Sequence, residues 1–382
     1  MEGAYPTNYA TGDLGSLSSD GESEIDETVD FSAQVAYEVL PLKFTKRADD
    51  LLTNQVLDVI IADTARCGTC SDYSDGCQKI YAITASAGGS PSTPADIVFS
   101  LNKGVTWYAH DIDTLSSSEI PAALALIGNY IVVVSNASNS LHYVNQDDIV
   151  SPGDPVFSEV STGFVTGYEP NDIWSVGSMA FIVADGGYIY SCTSPASGVT
   201  VLDAGVAVSD DLHGVHALSS SFAVAVGNAG SIVKTENGKI WSKVTTTPVG
   251  VGTNLTSVWL KTEREWWITA GDGTVYYTLD GGVVWTQRVL PAIAALNSVR
   301  EIVFSTNNIG YIAHNKLSPS VGRILRTTDA GKTWEVMPEN RGSMPDFDLS
   351  LCLAVCTQDP NFVVCGGLAA NGSDGVILLG QN

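Results

Sequence analysis

The sequence has 382 residues, of which 44% are hydrophobic and only 16% are charged, and it contains 37 glycines. This composition is typical of a globular protein with many turns. Its 42 acidic and 18 basic residues give a net charge of -24. Such a surface repels phosphate backbones and anionic lipid headgroups, which argues against nucleic-acid or membrane-surface binding. It favours solubility, a partner with a basic patch, or the binding of cations.

The first 35 residues are rich in Gly, Ser, Thr, Asp and Glu and contain few large apolar side chains. A segment of this composition cannot fold alone, so we predict an acidic extended arm over 1–35 that is held by a neighbouring subunit. It lacks the positive start and apolar core of a secretory signal. No run reaches the roughly 18 apolar residues of a membrane span. We therefore expect neither export by the general pathway nor a membrane span.

Short β runs follow one another at regular spacing through the rest of the chain. They group into units of four strands at 54–111, 120–160, 171–203, 211–244, 253–289, 297–337 and 349–379. The last unit has only three strands, and we expect residues 36–44 to supply its fourth. Four short strands per repeat are the signature of a propeller blade. We therefore predict an all-β fold, a seven-bladed β-propeller over 36–382 closed by an N-terminal strand; six blades with an additional strand is the alternative.

Four segments end in a tryptophan that follows a polar turn containing glycine. They are Ser100–Trp107, Thr235–Trp241, Thr278–Trp285 and Thr327–Trp334. The tryptophans are 134, 44 and 49 positions apart. Because the first interval is about three times the second, we expect two degenerate copies in between, at 145–160 and 191–203, in line with one turn per repeat.

Each residue type in these turns has a physical role. The Asp or Asn caps its own backbone, the glycine adopts a positive φ, and the tryptophan packs its ring between neighbouring blades. We therefore interpret the turns as a folding device. The residues concerned are Ser100, Asn102, Gly104, Trp107, Asn237, Gly238, Trp241, Asp280, Gly282, Trp285, Asp329, Gly331 and Trp334.

The turns resemble the Asp-box, also called the bacterial neuraminidase (BNR) repeat, although Thr235–Trp241 is one residue short. One such box per blade is similar to the photosystem II assembly factor propellers, a non-catalytic family with many bacterial and phage relatives. The resemblance implies a propeller that binds other proteins. Sialidases and some glycosidases also carry the boxes, so the motif indicates architecture more than function.

Three enzyme or metal sites can be weighed from the residues. By resemblance, a sialidase needs an arginine triad, but none of the eight arginines lies in the motif of that family. A glycosidase needs only two carboxylates; we interpret the candidates Asp172, Asp211 and Glu301 as turn caps or rim charges. His213 and His216 are three apart on a strand, which makes a poor chelate, so we expect local hydrogen bonds.

Three cysteines, Cys67, Cys70 and Cys77, fall in a turn-rich insertion of the first blade. They could form one disulfide and leave one free thiol, remain free, or bind a metal ion with a fourth ligand from elsewhere, and the sequence leaves these alternatives open. Cys352 and Cys356 share a strand face, and we interpret them as small interior hydrophobes.

The sequence thus predicts a non-enzymatic structural or interaction protein without a cofactor, whose arm and one propeller face bind other subunits of a large assembly. From the phage relatives of the family it resembles, we expect a virion component of a tail, fibre or capsid surface, made in the host cytoplasm. The alternatives are an assembly chaperone of the photosystem factor type, which by resemblance needs export and an Arg-rich patch, and a secreted glycan-active hydrolase.

Overall fold

The computed structural model describes most of the chain from residue 42 onward. The described ranges are 42–48, 51–62, 79–85, 95–116, 119–136, 139–149, 153–248, 253–291, 297–317, 320–337, 347–369 and 374–381. Their strands form seven antiparallel four-stranded sheets. No helix in these ranges is long and apolar enough to cross a membrane. The predicted arm, and the segment with Cys67, Cys70 and Cys77, lie outside the described residues.

The first three blades follow one another in chain order. Blade 1 contains β2 (Val56–Ala62), β3 (Lys79–Thr84), β4 (Asp96–Ser100) and β5 (Tyr108–Asp111). Blade 2 contains β6 (Pro121–Ile127), β7 (Tyr130–Ser135), β8 (Ser140–Asn145) and β9 (Ser158–Val160). Blade 3 contains β10 (Pro170–Val176), β11 (Met179–Ala184), β12 (Tyr188–Cys192) and β13 (Thr200–Ala204).

The next three blades repeat this order, and the seventh combines both ends of the described chain. Blade 4 contains β14 (Leu212–Ala217), β15 (Ala223–Gly227), β16 (Ile232–Thr235) and β17 (Trp241–Lys243). Blade 5 contains β18 (Leu255–Leu260), β19 (Trp266–Ala270), β20 (Val275–Thr278) and β21 (Thr286–Arg288). Blade 6 contains β22 (Asn297–Phe304), β23 (Gly310–Leu317), β24 (Ser320–Thr327) and β25 (Glu335–Val336). Blade 7 contains β26 (Phe347–Val355), β27 (Val363–Ala369), β28 (Gly375–Gln381) and β1 (Lys43–Arg47).

The seam of the ring is closed by the N-terminal strand, as predicted. Strand β1 pairs antiparallel with β28, with Phe44 opposite Gly380 and Arg47 opposite Ile377. The described strand begins within the predicted range 36–44 and extends beyond it, and residues 36–41 lie outside the described residues. Phe44 of this strand and Leu42 just before it are buried against blade 6. The seven predicted blade ranges agree with the observed strands to about two residues.

The strand order defines two faces of the ring. In an antiparallel meander, the first and third strands run in one direction and the second and fourth in the other. The turns joining strands 1–2 and 3–4 therefore share one face, which we call the box face. The loops joining strands 2–3, and the connections between blades, lie on the opposite face, which we call the connection face.

Seven apolar clusters hold the blades together, one between each pair of neighbours. Adjacent residues of one strand belong to different clusters: Trp266 faces blade 4, and Trp267 faces blade 6. The cluster at the seam joins blade 7 to blade 1 and includes Val56 and Phe362. Each sheet is covered on both faces by the neighbouring blades. Its inner strands are therefore continuous apolar runs rather than alternations of apolar and polar residues.

The described cysteines are all buried. Cys192, Cys352 and Cys365 carry free thiols, whereas Cys356 is disulfide-bonded. Cys352 and Cys356 both lie in the apolar cluster between blades 7 and 1, as their interpretation as small interior side chains predicts. Cys356, which directly follows β26, is in addition disulfide-bonded.

Candidate functional site

The first strands of all seven blades surround a channel on the ring axis, and each contacts the first strand of the next blade. Each of these strands has a β-bulge near its start, on the connection-face side. A bulge leaves one residue without a strand partner and turns its side chain. Seven equivalent tripeptides therefore line a cavity of about 180 Å³: 57–59, 122–124, 171–173, 213–215, 256–258, 300–302 and 351–353.

The middle residue of the first tripeptide is Asp58, which clamps blade 1 to blade 2. One carboxylate oxygen accepts the N–H of Val59 at 2.7 Å, and the other accepts the N–H of Leu124 at 2.8 Å. A first strand has a free edge on the channel side, where its N–H groups meet no further strand. The carboxylate satisfies these donors, whose burial without a partner would be unfavourable.

Two further blades use the same arrangement. Asp172 accepts the N–H of Ile173 and that of Val215 on blade 4, both at 2.8 Å. Glu301 on blade 6 accepts the N–H of Leu353 on blade 7 at 2.6 Å. The expectation that Asp172 and Glu301 are turn caps or rim charges is therefore wrong, because both acids lie in the channel and bridge neighbouring blades.

The blade that follows each acid carries a small side chain at the equivalent position. These residues are Ala123, Gly214 and Cys352. At Gly214, an added Cβ would lie 3.1 Å from backbone atoms of Thr256 and Ser257. The channel thus pairs a carboxylate with a small neighbour, so that the carboxylate can reach the next backbone.

Polar side chains on the connection face bind locally around the channel mouth. Asp211 accepts the Gly186 N–H at 2.9 Å and the Asn228 side-chain amide at 3.1 Å, which fits its expected role as a cap. His213 Nε2 lies 2.7 Å from Asn228 Oδ1, the local hydrogen bond that the sequence predicted. These two side chains of the mouth therefore already have partners.

The box-face end of the channel has a different character. Trp174, His216 and Trp259 occupy equivalent positions on blades 3, 4 and 5, and the His216 ring lies 4.1 Å from one indole and 4.3 Å from the other, centroid to centroid. The two indoles are edge to face at 5.5 Å. With Leu218 and Val355, these rings line a cavity of about 230 Å³, which we call the aromatic pocket.

Sequence reasoning missed the aromatic pocket because it followed only the tryptophans of the repeated turns. The signal available was an alignment of first strands. Trp174 follows Asp172 by two residues, as Trp259 follows Ser257 and His216 follows Gly214.

The four predicted turns join the third and fourth strands of blades 1, 4, 5 and 6. In blade 6, the Thr327 hydroxyl accepts the Gly331 N–H at 2.9 Å and donates to Asp329 at 2.8 Å. Asp329 also accepts the Thr333 N–H and hydroxyl, at 2.9 and 2.6 Å, and these bonds lower the pKa of Asp329 to about 2. Equivalent caps in the other turns are Asn102, Asn237 and Asp280.

The glycines of these turns have the predicted backbone conformation. Their φ values are 78° at Gly104, 70° at Gly238, 90° at Gly282 and 85° at Gly331. At Gly331, an added Cβ would also lie 2.4 Å from the Trp267 ring. A side chain at Gly331 would therefore be strained by its backbone and would clash with its neighbour.

The tryptophans that end the turns pack between their own blade and the preceding one, as predicted. Trp241 meets Phe181 of blade 3 at 5.6 Å, and Trp334 meets Trp267 of blade 5 at 6.3 Å, between ring centroids. Trp107 and Trp285 lie in the corresponding clusters of their blades. These contacts are structural.

Two further turns lie where the degenerate copies are expected. In blade 2, Asn145 caps the 3₁₀ turn Gln146–Asp148 that follows β8. In blade 3, the 3₁₀ turn Pro195–Ser197 follows β12 and ends at Gly198, whose φ is 77°. Neither segment contains a tryptophan, so these turns keep the position of the motif and lose the ring that packs between blades.

No model of a known protein family matches the sequence, and no curated protein matches it. Solved structures do. YCF48 bound to D1 peptide is 14% identical with a TM-score of 0.63, and the match covers 91% of this chain and 99% of that one. YCF48 from Cyanidioschyzon merolae is 11% identical with a TM-score of 0.62, covering 89% and 98%.

A third structure, the WD40 β-propeller domain of Doa1, is 10% identical with a TM-score of 0.60, covering 90% of this chain and 97% of that one. The two YCF48 structures and the Doa1 domain share their fold with this chain. At such low identity, the likeness extends to the ring architecture alone.

Proposed function

We propose that this chain is a non-enzymatic, protein-binding propeller that works as a component of a larger assembly and binds its partner at the aromatic pocket. The observation that carries this proposal is the pair of partly exposed indoles, Trp174 and Trp259, held in place around His216. Tryptophan is enriched among the residues that dominate protein–protein binding energies. Rings that are already packed lose little conformational freedom on binding.

The size and lining of the aromatic pocket favour one large apolar side chain of a partner protein. Small-molecule sites enclose about 300–1,000 Å³, whereas this cavity measures about 230 Å³. Its walls are apolar residues such as Leu218, Leu260 and Val355. The similar fold of YCF48, solved with a bound D1 peptide, supports a protein or peptide partner.

The non-enzymatic part of the proposal is supported by the use of the channel acids. Asp58, Asp172 and Glu301 each accept a backbone N–H of the next blade. A carboxylate held in this way is committed to the backbone rather than presented to a substrate. Assays with sialosides and glucans should show no turnover above the rate without protein; turnover lost on Glu301→Gln would overturn this part.

Binding at the aromatic pocket can be tested with a photo-crosslinking amino acid at Leu218, on the pocket rim. The matched position is Val289, which is 86% exposed and follows the fourth strand of blade 5 on the connection face. A protein crosslinked at 218 and not at 289 is then purified, and the Kd of its complex with this chain is measured. We expect Trp259→Ala to weaken this binding at least 10-fold. An unchanged Kd would remove the aromatic pocket from the proposal.

Within this role, we place the chain in a virion, as a phage tail, fibre or capsid-surface component assembled in the host cytoplasm. The resemblance of its turns to those of phage-borne propellers supports this placement. The acidic segment 1–35 supports it too, because such a segment needs a partner to become ordered. Mass spectrometry of purified particles of the virus that encodes the chain should detect it. Presence in the lysate and absence from particles would exclude this placement.

A further inference from the structure

Three side chains with metal-ligating atoms converge on blade 2, away from the channel. Glu119 precedes β6, His142 lies on β8, and Glu159 lies opposite His142 on β9. One carboxylate oxygen from each acid and one ring nitrogen of His142 all lie within 4.8 Å of one another. Glu119 and His142 are buried, whereas Glu159 is exposed. The cluster is therefore accessible from one side only.

The His142 ring is fixed by hydrogen bonds on both nitrogens. Nδ1 lies 2.8 Å from Thr114 Oγ1, and Nε2 lies 2.9 Å from Ser140 Oγ and 3.7 Å from Glu119 Oε1. In metal sites, a ligating histidine is oriented by an oxygen on its other nitrogen.

The Glu119 carboxylate is also oriented toward the ring. Its Oε2 accepts the Ser116 N–H at 2.7 Å, and its Oε1 accepts the Ser135 hydroxyl at 3.3 Å. Oε1 is the oxygen that faces His142. Two of the three ligating groups are thus held in place by the fold, and the exposed Glu159 side chain is the adjustable one.

We propose that Glu119, His142 and Glu159 form a binding site for a divalent transition-metal ion, for which Zn²⁺ is the best fit. One imidazole and two carboxylates suit Zn²⁺, whereas Ca²⁺ and Mg²⁺ prefer six or more oxygens. Tetrahedral bonds of about 2.0–2.2 Å put ligand atoms roughly 3.4 Å apart. Because the three atoms already lie within 4.8 Å of one another, small side-chain movements close the site. The ion would join the connection from blade 1 to the outer strands of blade 2.

The experiment uses the full chain after treatment with a chelator, and titrates it with Zn²⁺ by calorimetry. Glu159→Gln is the informative variant, because Glu159 is exposed and the buried network stays intact. Glu335→Gln is its matched control, since Glu335 is also an exposed acid on a fourth strand, in blade 6. We expect one saturable site in the wild type and in the control, and at least 10-fold weaker binding with Glu159→Gln.

The same titration with Co²⁺ separates this site from thiol ligands. Ligation by imidazole and carboxylates gives only weak visible bands, whereas thiolates at Cys67, Cys70 or Cys77 would give an intense near-ultraviolet band. A thiolate band that persists in Glu159→Gln would overturn the proposal. So would equal weakening by both variants, which would indicate general attraction to an acidic surface, or the lack of saturable binding.

Discussion

The carboxylate of Asp172 on blade 3 accepts the backbone N–H of Val215 on blade 4 at 2.8 Å, while its other oxygen accepts the N–H of Ile173 at the same distance. On the channel side, a first strand has no neighbouring strand to receive its N–H groups. The side chain of one blade therefore replaces the missing strand for the next. The ring is held at its axis by these polar clamps and further out by the apolar clusters between blades.

Asp172→Asn tests this clamp. Both oxygens of Asp172 accept an N–H, and the amide replaces one oxygen with a donor, so one N–H loses its partner. We expect the free energy of unfolding to fall by about 1–3 kcal/mol, measured by urea denaturation. Asp272→Asn is the control, because exposed Asp272 uses a single oxygen toward Thr274, which the amide retains. Equal midpoints for the two variants would contradict the role of the clamp.

The repeated turns depend on a buried hydroxyl more than on their acid. Thr327→Val keeps the shape and removes the acceptor of the Gly331 N–H, so we expect a loss of about 1–3 kcal/mol in thermal or urea unfolding. Asp329→Asn should be nearly neutral, because Asn102 and Asn237 already cap two of the turns. Thr333→Val gives the comparison, because it removes an exposed hydroxyl of the same turn whose hydrogen bond to Asp329 water can replace. A neutral Thr327→Val would show that the turn is held by its tryptophan alone.

The repeat of the fold was predictable because each repeated turn is determined by residues close together in the sequence. Gly331 and Trp334 have roles that a turn imposes within a few residues, and the spacing of such turns gives the blade count. The closing strand was predicted because the last unit has only three strands, and the described strand Lys43–Arg47 overlaps the end of the predicted range.

The channel could not be predicted in the same way. The residue that fits at each channel position depends on the neighbouring blade. Asp58 lies beside the small Ala123 of blade 2, and Asp172 lies beside Gly214 of blade 4. The equivalent tripeptides therefore have little identity in common, and the contacts that relate them are long-range. The aromatic pocket depends likewise on side chains of four different blades.

The buried thiols should be inert in the native state. Burial raises the pKa of Cys192 to about 11 and that of Cys365 to about 12. It also raises the pKa of Cys352 well above its usual range. Because the thiolate is the reactive form, we expect no alkylation of these three by iodoacetamide at pH 8, and complete alkylation after unfolding in urea. Peptide mass spectrometry reports each site. Rapid native modification of Cys192 would show that blade 3 opens locally.

The carboxyls of Asp96 and Asp111 face each other across β4 and β5. Burial, aided by the hydrogen bond and charge of Asp111, raises the pKa of Asp96 from 3.8 to about 7. The folded state therefore holds this proton more tightly than the unfolded chain. The stabilisation is complete below about pH 4 and is lost as the pH rises through 7.

Asp96→Asn mimics the protonated carboxyl and should flatten the fall of the urea midpoint between pH 4 and pH 7, with a higher midpoint than the wild type at pH 7. Asp113→Asn is the control, because it removes one exposed acid nearby and so reports the general effect of reducing a charge of -24. If both variants changed the pH dependence equally, the effect would belong to net charge rather than to the proton held between Asp96 and Asp111.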